Sequence, residues 1–303
     1  MSSARETLLL DLDAVPRVPM WRLALARKTG LTPGQKFGPL AVRVRGVQIG
    51  DSARYRELCS FSESGPVPVP WAFLAAAPLQ KAMLLRPEFP VPLMGLVHVS
   101  QRIWAARPLH PDEALELWVR AGAWRPARRG VHIDLDTAFL DESGTEVWWG
   151  RTTAWSPHGP GHGEPNPSRK PPVLHEPESE DVAVPEWMGR QYGTVAGDRN
   201  PIHVHALLAR PFGFQRAIVH GMWTLGRCLA SLGSQLPTHE VAVQAEFLRP
   251  VELPSKGRLT RAPTDHGNAF VWRDGERTCL WGTVKQSAGR PGADQLRSRL
   301  RPA

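Results

Sequence analysis

The chain has 303 residues, of which 42% are apolar, and reads as a soluble globular protein able to bury one large core or two modest ones. No run approaches the roughly 18 consecutive apolar residues of a membrane span, and Leu8–Leu10 lies beside Asp11 and Asp13 without the basic flank or cleavage site of an export signal, so a cytoplasmic protein is expected. The formal charge of +8 favours anionic partners, but it is scattered and lacks the interleaved aromatics of a stacking surface, which argues against nucleic acid.

In chain order, residues 1–36 read as an N-terminal extension and 37–156 as a first domain. That domain opens with an Ala/Leu-rich helical stretch from Trp71 to Leu85, interrupted at Pro78. Alternating, strand-like segments follow at Gly95–Trp104, Ala114–Gly122, Val131–Leu140 and Thr145–Trp155. From Ser156 to Pro177 the sequence is dense in Pro, Gly and polar residues, and 157–182 is assigned as a linker. The spacing of His158 and His162 within it is the one candidate metal pair; with only Glu164 nearby, no metal is expected. Residues 183–287 form a second domain, with a helix from Ile218 to Leu232 closed by Gly233. Its strands are expected at Glu240–Leu248, Gly257–Ala262, Ala269–Arg273 and Arg277–Gln286. Residues 288–303 form a basic tail expected to be disordered. Cys59, Cys228 and Cys279 are far apart and without a CxxC pair, so they are expected to be inert thiols.

The two domains show the same order of signals. Trp104-Ala-Ala-Arg107-Pro108 parallels Glu246-Phe-Leu-Arg249-Pro250 at an offset of 142, and Glu146-Val-Trp-Trp149-Gly150 parallels Thr278-Cys-Leu-Trp281-Gly282 at 132. Each half therefore reads as a long apolar helix followed by an antiparallel meander. A helix that is apolar nearly all round, as at Met222, Trp223, Leu225, Cys228, Leu229 and Leu232, must be buried on most faces, and a curved sheet wrapped round it provides that burial.

The chemistry concentrates in Gly197-Asp198-Arg199-Asn200-Pro201-Ile202-His203 and, fifteen residues after His203, in the stretch that begins Ile218-Val-His220-Gly221-Met222. Moving a proton off one group and onto another needs a base and an acid, and an oxygen that gains charge on the way needs a hydrogen-bond donor. A carboxylate and an imidazole suit the first two tasks. Asn200-Pro201 disfavours helix, so the chain can turn back and aim Asp198 and His203 at one water, either of them acting as base. Gly197 allows close backbone approach, and Asn200 is read as a supporting hydrogen-bonding residue. His220-Gly221-Met222 falls where the buried helix begins, and a helix N-terminus offers free N–H donors.

These residues resemble the signature of the MaoC-like, or (R)-specific enoyl-CoA hydratase, family: G-D-x-N-P-x-H followed by a hydrophobic stretch ending in H-G-M. The resemblance is strong in the second half and rests on segment order in the first. It implies an α+β fold of two tandem hotdog units, each an antiparallel sheet wrapped round a central helix. It further implies a hydratase/dehydratase interconverting trans-2-enoyl and (R)-3-hydroxyacyl thioesters of coenzyme A or acyl-carrier protein, without cofactor. Asp198 and His203 would be the catalytic pair, the Gly221 N–H the oxyanion donor, and Gly197, Asn200 and His220 supporting residues. A monomer or a homodimer of such tandems is expected. Aligning Pro66 with Pro201 puts Glu63 at the place of Asp198 and Pro68 at that of His203, so the first half lacks the histidine and should be catalytically silent. Trp71, Phe73, Leu74, Met83 and Leu84 are either core or the wall of an acyl tunnel. Arg199 and Arg216 are either solvated or meet an anionic carrier, and His205 is read as a helix-end histidine. The competing functions are a hotdog thioesterase and a non-catalytic acyl-thioester binding protein.

Overall fold

The computed structural model describes residues 8–16, 18, 28–32, 40–93, 95–161, 163 and 170–290. Among the described residues eleven strands form a single sheet: β1 (Leu8–Leu12), β2 (Leu40–Val47), β3 (Val97–Ala105), β4 (Leu115–Ala127), β5 (Gly130–Leu140), β6 (Glu146–Ser156), β7 (Glu178–Val184), β8 (Val241–Phe247), β9 (Ser255–Thr264), β10 (Gly267–Asp274) and β11 (Arg277–Gln286). Their spatial order is β1-β2-β4-β5-β6-β3-β8-β11-β10-β9-β7, antiparallel throughout except for the parallel β1–β2 pair. The helices that matter to the site are α1 (Ala53–Cys59), α2 (Trp71–Leu85), α3 (Met188–Val195), α4 (Ala206–Ala209) and α5 (Gly221–Ala230). This is the tandem hotdog fold, with α2 and α5 as the two central helices.

The pairing registers demonstrate the internal repeat. Strands β3 and β8 join the halves, with Ser100 opposite Glu246, Arg102 opposite Gln244 and Trp104 opposite Ala242. Moving on by 142 residues in one strand and back by 142 in the other turns the Ser100 pair into the Trp104 pair and leaves the Arg102–Gln244 pair on itself. A pseudo-two-fold axis therefore passes through that pair. The other offset holds as well: Trp104 faces Trp149 across β3–β6 as Glu246 faces Trp281 across β8–β11.

One apolar core runs through both halves, including Leu79 and Met83 of α2, Trp223, Leu225 and Leu229 of α5, and Phe139, Trp148, Phe270 and Trp272 from the strands. The expected break at Pro78 does not occur, since α2 is continuous from Trp71 to Leu85. A proline inside a helix forfeits one backbone hydrogen bond at a cost of about 3 kcal/mol. Burial of Leu74, Leu79, Met83 and Leu84 on either side of it offsets that cost. α5 is shorter than the expected Ile218–Leu232: it ends at a Ser231 cap, and Gly233, with φ of 54°, opens a separate 3-10 turn instead of closing the helix.

Three segment assignments also change. The N-terminal extension contributes β1, which pairs with β2. β7 begins at Glu178, inside the expected linker of 157–182, and pairs with β9. The tail expected to be disordered from 288 is ordered as far as Arg290, whose guanidinium lies 4.6 Å from the Trp149 ring centre and bonds Glu146; residues 291–303 lie outside the described residues, as does His162. All three cysteines are free and buried. Burial pushes their thiols well up, Cys279 to about 11 and Cys59 and Cys228 further, which keeps them unreactive. No helix among the described residues is long and apolar enough to cross a membrane.

Candidate active site

The site begins where α3 stops. Ala196 donates to the Tyr192 carbonyl at 2.8 Å and Asp198 to the Gly193 carbonyl at 2.9 Å, and Gly197 between them has φ of 60°, a left-handed conformation that glycine adopts without steric cost. The Asp198 carboxylate accepts the Asn200 N–H at 3.2 Å, and the Asn200 side chain accepts from Ile202 at 3.4 Å. Asn200 has the extended backbone that a following proline demands, φ −55° and ψ 131°. Pro201–His203 then forms one 3-10 turn, which brings His203 back toward Asp198. A carboxylate oxygen of Asp198 and one ring nitrogen each of His203 and His220 lie within 4.8 Å of one another.

Hydrogen bonds set the tautomers of both histidines. His203 Nδ1 lies 2.7 Å from the Ile218 carbonyl oxygen. A carbonyl only accepts, so Nδ1 carries the proton and Nε2 presents a lone pair. His220 Nε2 lies 3.0 Å from the Asp198 main-chain oxygen, so that nitrogen donates and Nδ1, buried without a protein partner, is bare. Burial pushes both rings toward the neutral form: His203 below its ordinary value despite the Asp198 charge, and His220 down to about 3. Burial also works against the Asp198 charge, but the two imidazoles, the Lys81 ammonium and the Asn200 N–H outweigh it and hold the carboxyl below the usual range. The arrangement is an ionised carboxylate beside a neutral imidazole.

By distance alone, Asp198, His203 and His220 could receive a cation. The two rings, however, are stacked with centres 3.6 Å apart and planes 23° apart. Stacked rings hold their lone pairs in nearly parallel planes, whereas the ligand directions at a tetrahedral ion converge from well-separated angles.

Gly221 is the first residue of α5, and no side chain caps that helix. First-turn N–H groups have no partner within the helix, so the Gly221 N–H is unspent. A Cβ at this position would stand 2.9 Å from the Phe247 ring. The glycine thus lets Phe247 close over the helix start, and the His98 ring packs on Phe247 with centres 4.5 Å apart.

The sequence-predicted residues Asp198, His203, Gly197, Asn200, His220 and Gly221 therefore meet in one place. His205 lies apart, accepting from Leu207 N at 3.2 Å as the cap of α4, and Arg199 and Arg216 are exposed. Glu63 is exposed and Pro68 buried in a loop of the first half. Leu74, Met83 and Leu84 are core, while Phe73 is partly buried and reaches His98 at 5.9 Å between ring centres. Three contributors escaped the sequence reading. Ile218 acts through its carbonyl, which no motif records. His98 and Lys81 come from the first half, where nothing in the local sequence marks them; Lys81 donates to the Gly197 carbonyl across the boundary between halves.

A family model described as "MaoC like domain" matches residues 170–278, which hold every residue of the second-half cluster. Over 218 residues the chain is 32% identical to the 3-hydroxyacyl-thioester dehydratase X of Mycobacterium tuberculosis, covering 71% of this chain and 76% of that protein. It is 24% identical over 265 residues to the enoyl-CoA hydratase ChsH3 of the same organism, covering 81% and 87%. The crystal structure of HtdX of Mycobacterium tuberculosis superposes with a TM-score of 0.69 at 27% identity, over 82% of this chain and all of that one.

Proposed function

Because the chain belongs to the MaoC-like dehydratase family, we propose that it interconverts trans-2-enoyl and (R)-3-hydroxyacyl thioesters, with Asp198 and His203 holding the reacting water. The observation that carries this reading is the His203 tautomer. Nδ1 is tied to the Ile218 carbonyl, which leaves the Nε2 lone pair free on a ring that has a nitrogen within 4.8 Å of an Asp198 carboxylate oxygen.

In the hydration direction, Nε2 takes a proton from water as the oxygen forms its bond to the β-carbon. The conjugated double bond shifts its electrons toward the thioester carbonyl, giving an enolate-like oxygen that the Gly221 N–H stabilises. The imidazolium then returns its proton to the α-carbon. Asp198 stays ionised, orients the water and stabilises the imidazolium. One water enters, one proton is borrowed and returned, and both new bonds form on one face because one imidazole serves both steps. Dehydration is the reverse. The acyl group is carried by coenzyme A or an acyl-carrier protein.

We expect Asp198→Asn and His203→Ala each to lower turnover by at least about two orders of magnitude, the scale of a lost general acid or base, with folding intact by circular dichroism. The assay follows loss of the enoyl-thioester chromophore; near-normal turnover in either variant would falsify the assignment. Release of free thiol, with the double bond retained in the acid product, would instead mark a thioesterase. Binding without turnover would mark a thioester carrier.

A further inference from the structure

The catalytic half does not supply every charge at the site. Lys81 projects from α2 of the first half and donates to the carbonyl of Gly197, the residue immediately before Asp198. A Cβ on Gly197 would lie 3.8 Å from the lysine nitrogen, so the ammonium sits directly over this turn. Lys81 is itself only partly exposed, and its charge is felt at the Asp198 carboxylate.

The other groups facing that carboxylate do not substitute for it. His203 and His220 approach from the 3-10 turn and from the start of α5, but burial keeps both rings neutral at neutral pH. The Asn200 N–H contributes a dipole and no charge. Arg199, next in sequence, is exposed and turned toward the Thr194 hydroxyl at 3.4 Å. Both rings act on the Asp198 carboxyl more strongly than Lys81 in the acid range where they can charge, but at neutral pH Lys81 is the ammonium among the described groups acting on it, its own value lowered by burial and raised again by the Asp198 charge.

We infer that Lys81 is a positioning residue of the active site: from the half that has Pro68 where the other has His203, it pins the Gly197–Asp198 turn and sets an ammonium near the carboxylate. The inference rests on the proposed role of Asp198 and His203. It assigns the first half an electrostatic part in the reaction, in addition to packing. An ammonium that neutralises the carboxylate in the resting enzyme also limits how strongly Asp198 draws a proton onto His203, leaving Nε2 free to accept one from water.

The test uses the full chain carrying Lys81→Met and, separately, Lys81→Arg, with aspartate labelled with carbon-13 at the side-chain carboxyl. The Asp198 resonance is identified by its loss in Asp198→Asn, and its titration is followed by NMR. In Lys81→Met the carboxyl should titrate higher by about one pH unit, the lower end of what an opposite charge at close range exerts. Turnover should fall about tenfold with little change in KM, and Lys81→Arg should restore both readings. A Lys81→Met variant whose carboxyl titrates as in wild type overturns the inference, whatever its melting midpoint. So does a rise in KM at constant turnover, which would place Lys81 on the substrate's anionic carrier. The carboxyl titration needs no turnover, so it separates this inference from the reaction: a wild-type protein inert toward enoyl thioesters removes the proposed reaction, whereas an active one with an unmoved titration removes only the role of Lys81.

Discussion

At the residue scale, Gly221 ties the chemistry to the packing. A methyl group there would press on the Phe247 ring from 2.9 Å, and that ring also packs on His98, so its shift would disturb a second contact. We expect Gly221→Ala to cut turnover by about tenfold or more and to lower the thermal midpoint, in line with the roughly 1–3 kcal/mol of an overpacked site. Adding Phe247→Leu should recover part of both, because the smaller side chain relieves the clash. No recovery in the double variant would show that the loss comes from something other than Phe247. Asp198, Asn200, Pro201 and His203 were readable from the sequence because a turn places them by local rules: a left-handed glycine, a carboxylate accepting an N–H two residues on, and a pre-proline extended residue. The partners that tune them were not. Ile218 fixes the tautomer through a main-chain oxygen, which any residue type possesses, and Lys81 lies 116 positions before Gly197.

At the element scale, the informative contrast is between the Gly197–His203 turn and its counterpart in the first half, Phe61–Pro68. There the Arg56 guanidinium, buried on α1, donates to the carbonyls of Ser62, Ser64 and Gly65 at 2.9, 3.4 and 2.7 Å and also bonds that of Pro66. Where the second half folds its turn around a carboxylate and an imidazole, the first folds it around a structural cation. We expect Arg56→Met to destabilise the protein by about 2–4 kcal/mol, since a buried charge with several carbonyl partners is lost. Turnover per folded molecule should stay near wild type. A large loss of turnover with an unchanged midpoint would contradict the structural role. The long helices and the β3–β6 and β8–β11 meanders were legible from their periodicity. β1, β2, β7, α1 and α3 were not, for different reasons. β7 (Glu178–Val184) carries charges at its exposed positions and reads as loop, pairing along β9 through Asp181–Arg258 and Glu178–Arg261 contacts that a linear pattern does not show. α1 and α3 are only seven and eight residues long, too short for a helical period to stand out.

At the scale of the whole molecule, the buried neutral histidines make stability depend on acidity. The folded-state values of His203 and His220 lie below the 6.5 of an exposed ring, that of His220 at about 3. Between those limits the unfolded chain binds protons that the folded chain refuses, so stability is full above about pH 6.5 and falls as the pH drops, by up to about 1.4 kcal/mol per pH unit for each such ring. Burial brings His98 to about 4, and it should act in the same direction. The midpoint measured by calorimetry should therefore fall between pH 7 and pH 5, and His98→Phe, which keeps the stacking and removes the titration, should show a smaller fall. A midpoint flat over that interval would contradict this account. The axis through Arg102 and Gln244 sets the two halves as equals in the sheet, since a ladder that maps onto itself is the one two identical chains would form on meeting. That equality stops at the turns: where the second half has Asp198 and His203, the first has Glu63 and Pro68, with the Arg56 guanidinium bonded to the main chain around them.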